Sequence, residues 1–348
     1  MNNDHKTIGP FYDVQQVENA LSEPTDEVIA TMRKMKGDMI ILGVGGKMGL
    51  TIARMAKRSS DAAGIKRRII GVSRFSSGDV ESRLQTHGIE TVRCDLLDGK
   101  QVDKLPEAPN VLYMAAQKFG TTGDQPTTWA INTGVPMLVG RRYGRSRIVV
   151  FSSGNVYPLT PIRNGGSVET DEVQPIGEYA NSVLGRERIF DYYSRELGSP
   201  TALIRLFYSH DMRYGVLVDM AEYVWNEKPI DLSMGHVNVI WQRDANAMTL
   251  RAFDHVSVPS AIFNVVGDEV VSVREACNKF GQIMGKKPRF VGEEAENALL
   301  GNGKASFELI GRPTVAADEM IQCIADWIMQ SGESFEKPTH FQTRDGKF

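Results

Sequence analysis

Cysteine is nearly missing from this chain: three occur in 348 residues, and Cys94, Cys277 and Cys323 lie far apart with no metal-type pair among them. That excludes a disulfide scaffold and any metal site built on paired cysteines, and it fits a reducing compartment. No apolar run approaches the roughly 20 residues that span a bilayer. The start, Met1-Asn-Asn-Asp-His-Lys6, is polar and carries no secretory apolar stretch. The expectation is a cytoplasmic protein without membrane contact. A surplus of one charge is lacking too, since a formal net charge of -3 offers no basic field for nucleic acid or an anionic lipid surface. Internal repeats and low-complexity tracts do not occur. What is there is an ordinary globular composition, 41% hydrophobic, enough for a sizeable core. Length predicts about two domains, or one large α/β domain with an appended lobe.

The most informative stretch is Asp38-Met-Ile-Ile-Leu-Gly43-Val-Gly45-Gly46-Lys47-Met48-Gly49, an apolar strand running into a glycine turn. Leu50-Thr-Ile-Ala-Arg-Met-Ala-Lys57 follows with apolar positions at helical spacing. Glycine permits the tight turn, removes the side chains that would block a pyrophosphate, and lets helix and strand pack closely. The helix start then offers unpaired N–H groups and the positive end of its dipole to the anion. Strand before and helix after is the context this motif requires.

Further strands are predicted at Arg68–Arg74, Thr91–Asp98, Asn110–Ala116, Arg147–Phe151 and Thr201–Phe207, with helical patterns between most of them. Such alternation predicts a doubly wound parallel sheet of the Rossmann type. Ahead of it, residues 1–37 form a polar leader in which Pro24 and the acids Asp26 and Glu27 open a short helix. It carries no visible chemistry, and a packing or dimer-contact role is expected. Residues 38–205 make the dinucleotide-binding domain and 206–348 mainly a smaller C-terminal substrate lobe, some of whose segments return to the sheet. Short strands at 237–241 and 261–266, and helices near 274–284 and 316–331, are assigned to that lobe.

Several pieces then fall in order: Gly43, Gly46 and Gly49 spaced as Gly-x-x-Gly-x-x-Gly, Asp95-Leu96, Met114-Ala115-Ala116, Asn132-Thr133-Gly134, Ser152-Ser153-Gly-Asn155-Val-Tyr157-Pro, and Pro175-x-x-x-Tyr179-Ala-x-Ser182. Together these resemble the extended short-chain dehydrogenase/reductase family, the NAD-dependent epimerase/dehydratase group, across roughly residues 38–330. The resemblance implies that the glycine turn (Gly43, Gly45, Gly46, Lys47, Met48, Gly49) holds the pyrophosphate, that Asp95 and Leu96 flank the adenine, and that Ala115 and Ala116 border the nicotinamide. It sets Ser153 on the catalytic hydroxyl that hydrogen-bonds the reacting oxygen, and Tyr179 on the catalytic tyrosine, which also borders the cofactor. A hydride transfer to a carbonyl needs an acid for the forming alkoxide, and a tyrosine with a neighbouring hydroxyl supplies one.

Two departures stand out. The family's lysine four residues after the tyrosine is Val183 here. Positions four apart share a helix face, so that lysine would sit beside the phenol, lower its pKa and grip the nicotinamide ribose. Without it the phenol should stay near its reference value of about 10. Three explanations compete: another cation substitutes, the tyrosine acts only as an acid, or the protein binds cofactor without turnover. Lys118, just after the fourth strand, is the best-placed substitute, unless it is a solvated surface lysine; Arg186 ranks lower, about 10 Å along the helix from Tyr179 by axial rise.

The second departure follows the sixth strand. Nucleotide-sugar enzymes of the group usually carry Arg-x-x-Asn-x-x-Gly-Pro there, whereas this chain has Arg205-Leu-Phe-Tyr208-Ser-His210-Asp211-Met212. The added carboxylate, Asp211, disfavours a diphosphate and points to a smaller sugar, polyol or sugar acid. Ser153, Asn155, Tyr208, His210 and Arg213 are the candidate substrate contacts, with Arg213 either clamping a carboxylate or phosphate or merely pairing in a hydrated loop. Asp244 reads as structural.

For the cofactor, β-strand two ends Val72-Ser73-Arg74 with no acid for the ribose hydroxyls. Ser73 and Arg74, with Lys47 nearby, suit a 2′-phosphate, which favours NADP over NAD; stacking of Arg74 on adenine would suit either. The expected function is an NAD(P)-dependent oxidoreductase or epimerase working on a secondary hydroxyl or carbonyl of a small carbohydrate-like molecule. The alternatives are a dinucleotide-binding sensor or scaffold, or a nucleotide-sugar epimerase/dehydratase. A homodimer is expected by analogy with the family.

Overall fold

Met39-Ile-Ile-Leu42 is apolar and buried at every position, as a strand covered on both faces must be. The computed structural model describes residues 8–76, 78–118 and 120–347. Its central sheet contains seven strands: β1 (Met39–Leu42), β2 (Ile69–Ser73), β3 (Glu90–Arg93), β4 (Asn110–Tyr113), β5 (Arg147–Ser153), β6 (Thr201–Leu206) and β7 (Ala261–Val265). They lie in the order β7-β6-β5-β4-β1-β2-β3, all parallel, with Met39 paired to Ile69 on one side and to Asn110 on the other. The chain is therefore an α/β protein with a doubly wound sheet and a C-terminal lobe. Strand order reverses between β1 and β4, and a crevice opens beyond their carboxyl ends. Alternating residues feed two cores: Ile40, Leu42, Val72 and Tyr113 on one face, Ile41, Leu112, Val149 and Ile204 on the other.

Several strands end earlier than their apolar pattern suggests. β3 stops at Arg93, because Asp98 turns away to cap a short helix, accepting from Lys100 N at 2.9 Å. β4 stops at Tyr113, and the following residues 114–117 leave the sheet to line the crevice. Segment 237–241 is broken at Asn238, whose side chain donates to Glu269 O at 2.9 Å and accepts from Gly301 N at 2.9 Å. Residues 261–265 leave the lobe altogether. They form edge strand β7, paired with β6 from Ala261–Ala202 to Val265–Leu206.

The leader contributes two helices, α1 (Val14–Leu21) and α2 (Asp26–Lys34). Asp13 caps the first by accepting from Gln16 N at 2.7 Å, and Thr25 caps the second by accepting from Val28 N at 3.3 Å. Their apolar faces, including Val17, Leu21, Val28 and Met32, join the core beside α3 (Gly49–Ala62). Glu18 is buried as well, and it gathers three arginines: Arg54 of α3 at 3.5 Å, Arg213 at 3.0 Å, and Arg83. The last described residues run back over the lobe. Thr339 donates its N–H at 2.8 Å and its hydroxyl at 2.6 Å to Asp219, and Gly346 lies directly against Gly177.

Removing one partner of such a buried network leaves charges without compensation. Glu18→Gln is expected to destabilise the fold by about 3–5 kcal/mol, read as a lower urea midpoint at unchanged slope; an unaltered midpoint would show that Glu18 holds nothing together.

Candidate active site

Contact geometry requires glycine at the first turn. Gly43 has φ of +92°, and a Cβ there would stand 2.5 Å from Ala115 N. On Gly49 a Cβ would fall 1.8 Å from the Val44 carbonyl oxygen, so strand and helix touch backbone to backbone. Gly45 lies over Ser73, whose hydroxyl would be 2.5 Å from an added methyl. Gly46 differs. Its missing Cβ meets nothing nearer than Gly43 O at 3.7 Å, and the position faces a groove of about 1090 Å³. No side chain caps α3 at Met48, whose own side chain is buried in the core; Gly49 N bonds Gly46 O at 2.9 Å, and the positive end of the helix is left without a side-chain acceptor. Ser73, Arg74, Asp95, Leu96, Ala115 and Ala116 line the same groove. A glycine cradle with space where a side chain would stand, at a helix start, fits the pyrophosphate of a dinucleotide.

Lys47 does not join Arg74. Its ammonium donates to Ser209 O at 3.3 Å and stands 3.6 Å from the centre of the Tyr214 ring, on the lobe side. A carbonyl and an aromatic face hold an ammonium better than the open mouth of the groove. The stem stays exposed while protein crowds the ammonium; lost hydration pulls its pKa down to about 7, opposed by Asp211 and assisted by Lys118.

Ser153 ends β5, and Tyr179 stands in the first turn of the helix Gly177–Leu197. The two side chains approach each other closely enough for the Ser153 hydroxyl to influence the phenol. Ser153 Oγ also accepts from Asn155 N at 3.2 Å and donates to Asn155 Oδ1 at 2.9 Å, which fixes it at the strand end. Beneath them Ser152 donates to Glu187 at 2.5 Å, and Glu187 is clamped by Arg205 at 2.8 Å in a dry interior. The phenol does not remain at its reference value. Burial raises its pKa, and Arg186 and Ser153 only partly offset the rise. Val183 is fully buried one turn below.

Lys118 comes close, with its ammonium 5.9 Å from the centre of the Tyr179 ring and its pKa lowered to about 8 by burial, against the pull of Asp219. Arg186 was ranked too low. Long helical side chains lean toward the N-terminus of their helix, and the Arg186 guanidinium donates to Phe151 O at 2.8 Å and to Asn132 Oδ1 at 2.6 Å, close enough for its charge to act on Tyr179. The signal was in the sequence: 179, 183 and 186 share one helix face.

The cluster after β6 divides. Tyr208 and Asn155 line a second, small cavity, together with Lys118. His210 does not reach it. It is fully buried, with Nδ1 2.9 Å from Tyr208 O and Nε2 accepting from Leu217 N at 2.9 Å, and burial lowers its pKa to about 3, so it stays neutral. Arg213 also turns inward, pairing with Asp211 at 2.6 Å and with Glu18, its guanidinium over Phe335. It therefore clamps no ligand. The same pairing neutralises Asp211, which removes the repulsion that its position suggested against a diphosphate. Asp244 accepts from Thr314 N at 2.7 Å and serves the loop.

Residues 39–209 match the model of the NAD dependent epimerase/dehydratase family. That segment, just under half of the chain, carries the family's pattern. No curated protein matches the chain in sequence. Among solved structures similar to the chain is UDP-glucuronic acid 4-epimerase from Bacillus cereus in complex with UDP-glucuronic acid and NAD, with a TM-score of 0.69, 16% identity, and 84% of this chain and 99% of that one covered. Two others are UDP-glucose 4-epimerases. That of Thermotoga maritima with UDP-glucose has a TM-score of 0.69, 16% identity and coverage of 84% and 99%. That of Thermus thermophilus with NAD has a TM-score of 0.68, 19% identity and coverage of 83% and 98%. At these identities the likeness is one of fold.

An ammonium whose pKa falls below its ordinary value of 10.5 loses its proton earlier in the folded state than in the unfolded one. Lys47 and Lys118 therefore each add stability as pH rises from the folded value toward 10.5. Competitive acylation with mass-spectrometric readout, from about pH 5 to about pH 11, should give midpoints near 7 for Lys47 and near 8 for Lys118. Midpoints equal to those of the exposed lysines would contradict this account.

Proposed function

We propose that the chain is an NAD(P)-dependent oxidoreductase or epimerase acting on a secondary hydroxyl or carbonyl of a sugar, polyol or sugar acid. The observation that carries this reading is the proximity of the Ser153 hydroxyl to the Tyr179 phenol. Ser153 closes β5, and its hydroxyl bonds Asn155, which lines the second cavity, while Ala115 and Ala116 line the groove. A nicotinamide dinucleotide supplies the hydride chemistry when bound. Gly45, Gly46 and the start of α3 hold its pyrophosphate, Asp95 and Leu96 flank the adenine, and Ala115 and Ala116 border the nicotinamide.

Ser153 orients the reacting oxygen of the substrate, and Tyr179 exchanges the proton with it. Because burial raises its pKa, Tyr179 is protonated at neutral pH, which favours donation to a carbonyl oxygen as it gains negative charge. Accepting a proton in the reverse direction needs positive charge nearby, and Lys118 and Arg186 supply it in place of the lysine that Val183 replaces. Asn155 and Tyr208 contact the substrate.

The same reading takes NADP over NAD. Arg74 is exposed at the groove and makes no ion pair among the described residues, and β2 ends without a carboxylate. Exposed apolar residues on the helices following β4 and β5, Trp129, Met137, Tyr192 and Leu197, support a homodimer through those helices.

Tyr179→Phe should lower turnover by about 10²–10⁴-fold, and Ser153→Ala should lower it to a lesser degree, with dinucleotide Kd unchanged in both. Cofactor binding without any redox change across a panel of sugars and sugar acids would support a sensor instead. Arg74→Ala should weaken NADP selectively; equal or tighter NAD binding by the unsubstituted protein would overturn the NADP assignment.

A further inference from the structure

The second cavity is walled partly by the lobe and partly by the returning tail. Lys118, Asn155 and Tyr208 form one side; Phe341, Thr343 and Arg344 form another. Phe341 is buried, and the tail is fastened at both ends, through Thr339 on Asp219 and Gly346 on Gly177. The charges on this wall are of one sign. Arg344 and Lys118 line it, and no Asp or Glu does among the described residues.

The partners of Arg344 are all neutral. Its guanidinium donates to Ser233 O at 2.9 Å, to Asn297 O at 3.0 Å and to the Asn297 side-chain oxygen, and no carboxylate lies within ion-pairing distance among the described residues. The adjacent acid, Asp345, is exposed and pairs with Lys347 at 3.1 Å. A half-buried guanidinium held in place by carbonyls, with its charge left uncompensated, is arranged for an anion that the protein itself does not supply.

Resting on the hydride-transfer reading above, we propose that Arg344 is a substrate-binding residue, and that the tail restricts the cavity to a small anionic carbohydrate, a sugar acid or sugar phosphate without a nucleotide. Lys118 lines the same cavity, so an acid group held by Arg344 meets a second positive charge there. Phe341, Thr343 and Arg344 of the tail take up part of the wall and leave less room for a nucleotide than for a single sugar.

Isothermal titration of the full chain with dinucleotide bound tests this without turnover, so it stands or falls separately from the hydride reading. The probes are D-glucuronate, D-galacturonate and D-glucose 6-phosphate, their neutral parents D-glucose and D-galactose, and UDP-glucose. At least one acid should bind about ten-fold or more tighter than its neutral parent, and UDP-glucose should bind more weakly than that acid. Arg344→Gln should cut the acid-to-neutral ratio by about ten-fold while leaving dinucleotide Kd unchanged, and Arg344→Lys should recover part of it. The proposal is overturned if acids and neutral sugars bind alike, if no acid binds, if the ratio survives Arg344→Gln, or if UDP-glucose binds tightest. Arg344→Lys keeps the test readable should the glutamine variant fold poorly.

Discussion

Everything at the site depends on the backbone contact between the turn that leaves β1 and the start of α3, where Gly49 meets the carbonyl of Val44 with no room for a methyl group. That approach sets the start of α3 at the carboxyl end of β1, at the point where strand order reverses. Gly43, Gly45 and Gly46, which lead into the uncapped start of α3, then line the groove. The segment after β4 is fixed by the same turn, because Gly43 and the Ala115 backbone are in close contact. Groove and second cavity meet along this segment, so one tight turn aligns both.

The electrostatics follow from what that geometry encloses. A buried phenol needs positive charge to act in both directions, and the helix position that would provide it directly is an apolar core residue, Val183. Lys118 stands 5.9 Å from the centre of the ring, and the Arg186 charge reaches the phenol and lowers its pKa against burial. Arg186 is held by Asn132 and by the Phe151 carbonyl, so its place depends on β5 and on the helix after β4. Its influence on Tyr179 therefore follows the packing of those elements.

Much of the scaffold was legible from local pattern. Six of the strands are short apolar runs with turn residues behind them, and the glycine spacing with its strand and helix marked the nucleotide crevice. Ser153 and Tyr179 are singled out by register with a family pattern, and the fold brings them near each other. The reading of strand ends went astray where a polar side chain won a local competition, as Asp98 did by capping a helix. Segments of the C-terminal region are expected to return to the sheet, but nothing in 261–266 says that it is one of them or which strand it joins, because edge pairing is non-local. His210 and Arg213 misled because residue type does not tell inward from outward: Arg213 was claimed by Asp211 two residues away and by Glu18, which lies 195 residues away. The basic wall at Arg344 was invisible because it forms only when the tail folds back over the lobe.

Glu18 has one more consequence. It belongs to the leader, Arg54 to the helix of the glycine turn and Arg213 to the loop after β6, while Phe335 of the tail rests on the Arg213 guanidinium. One dry carboxylate thus pins cofactor domain, lobe and tail at a common point. Swinging the lobe outward on a hinge would break the buried Glu18–Arg213 pair, at a cost of about 3–5 kcal/mol. A hinge between lobe and sheet is therefore opposed at this point by a dry charge pair.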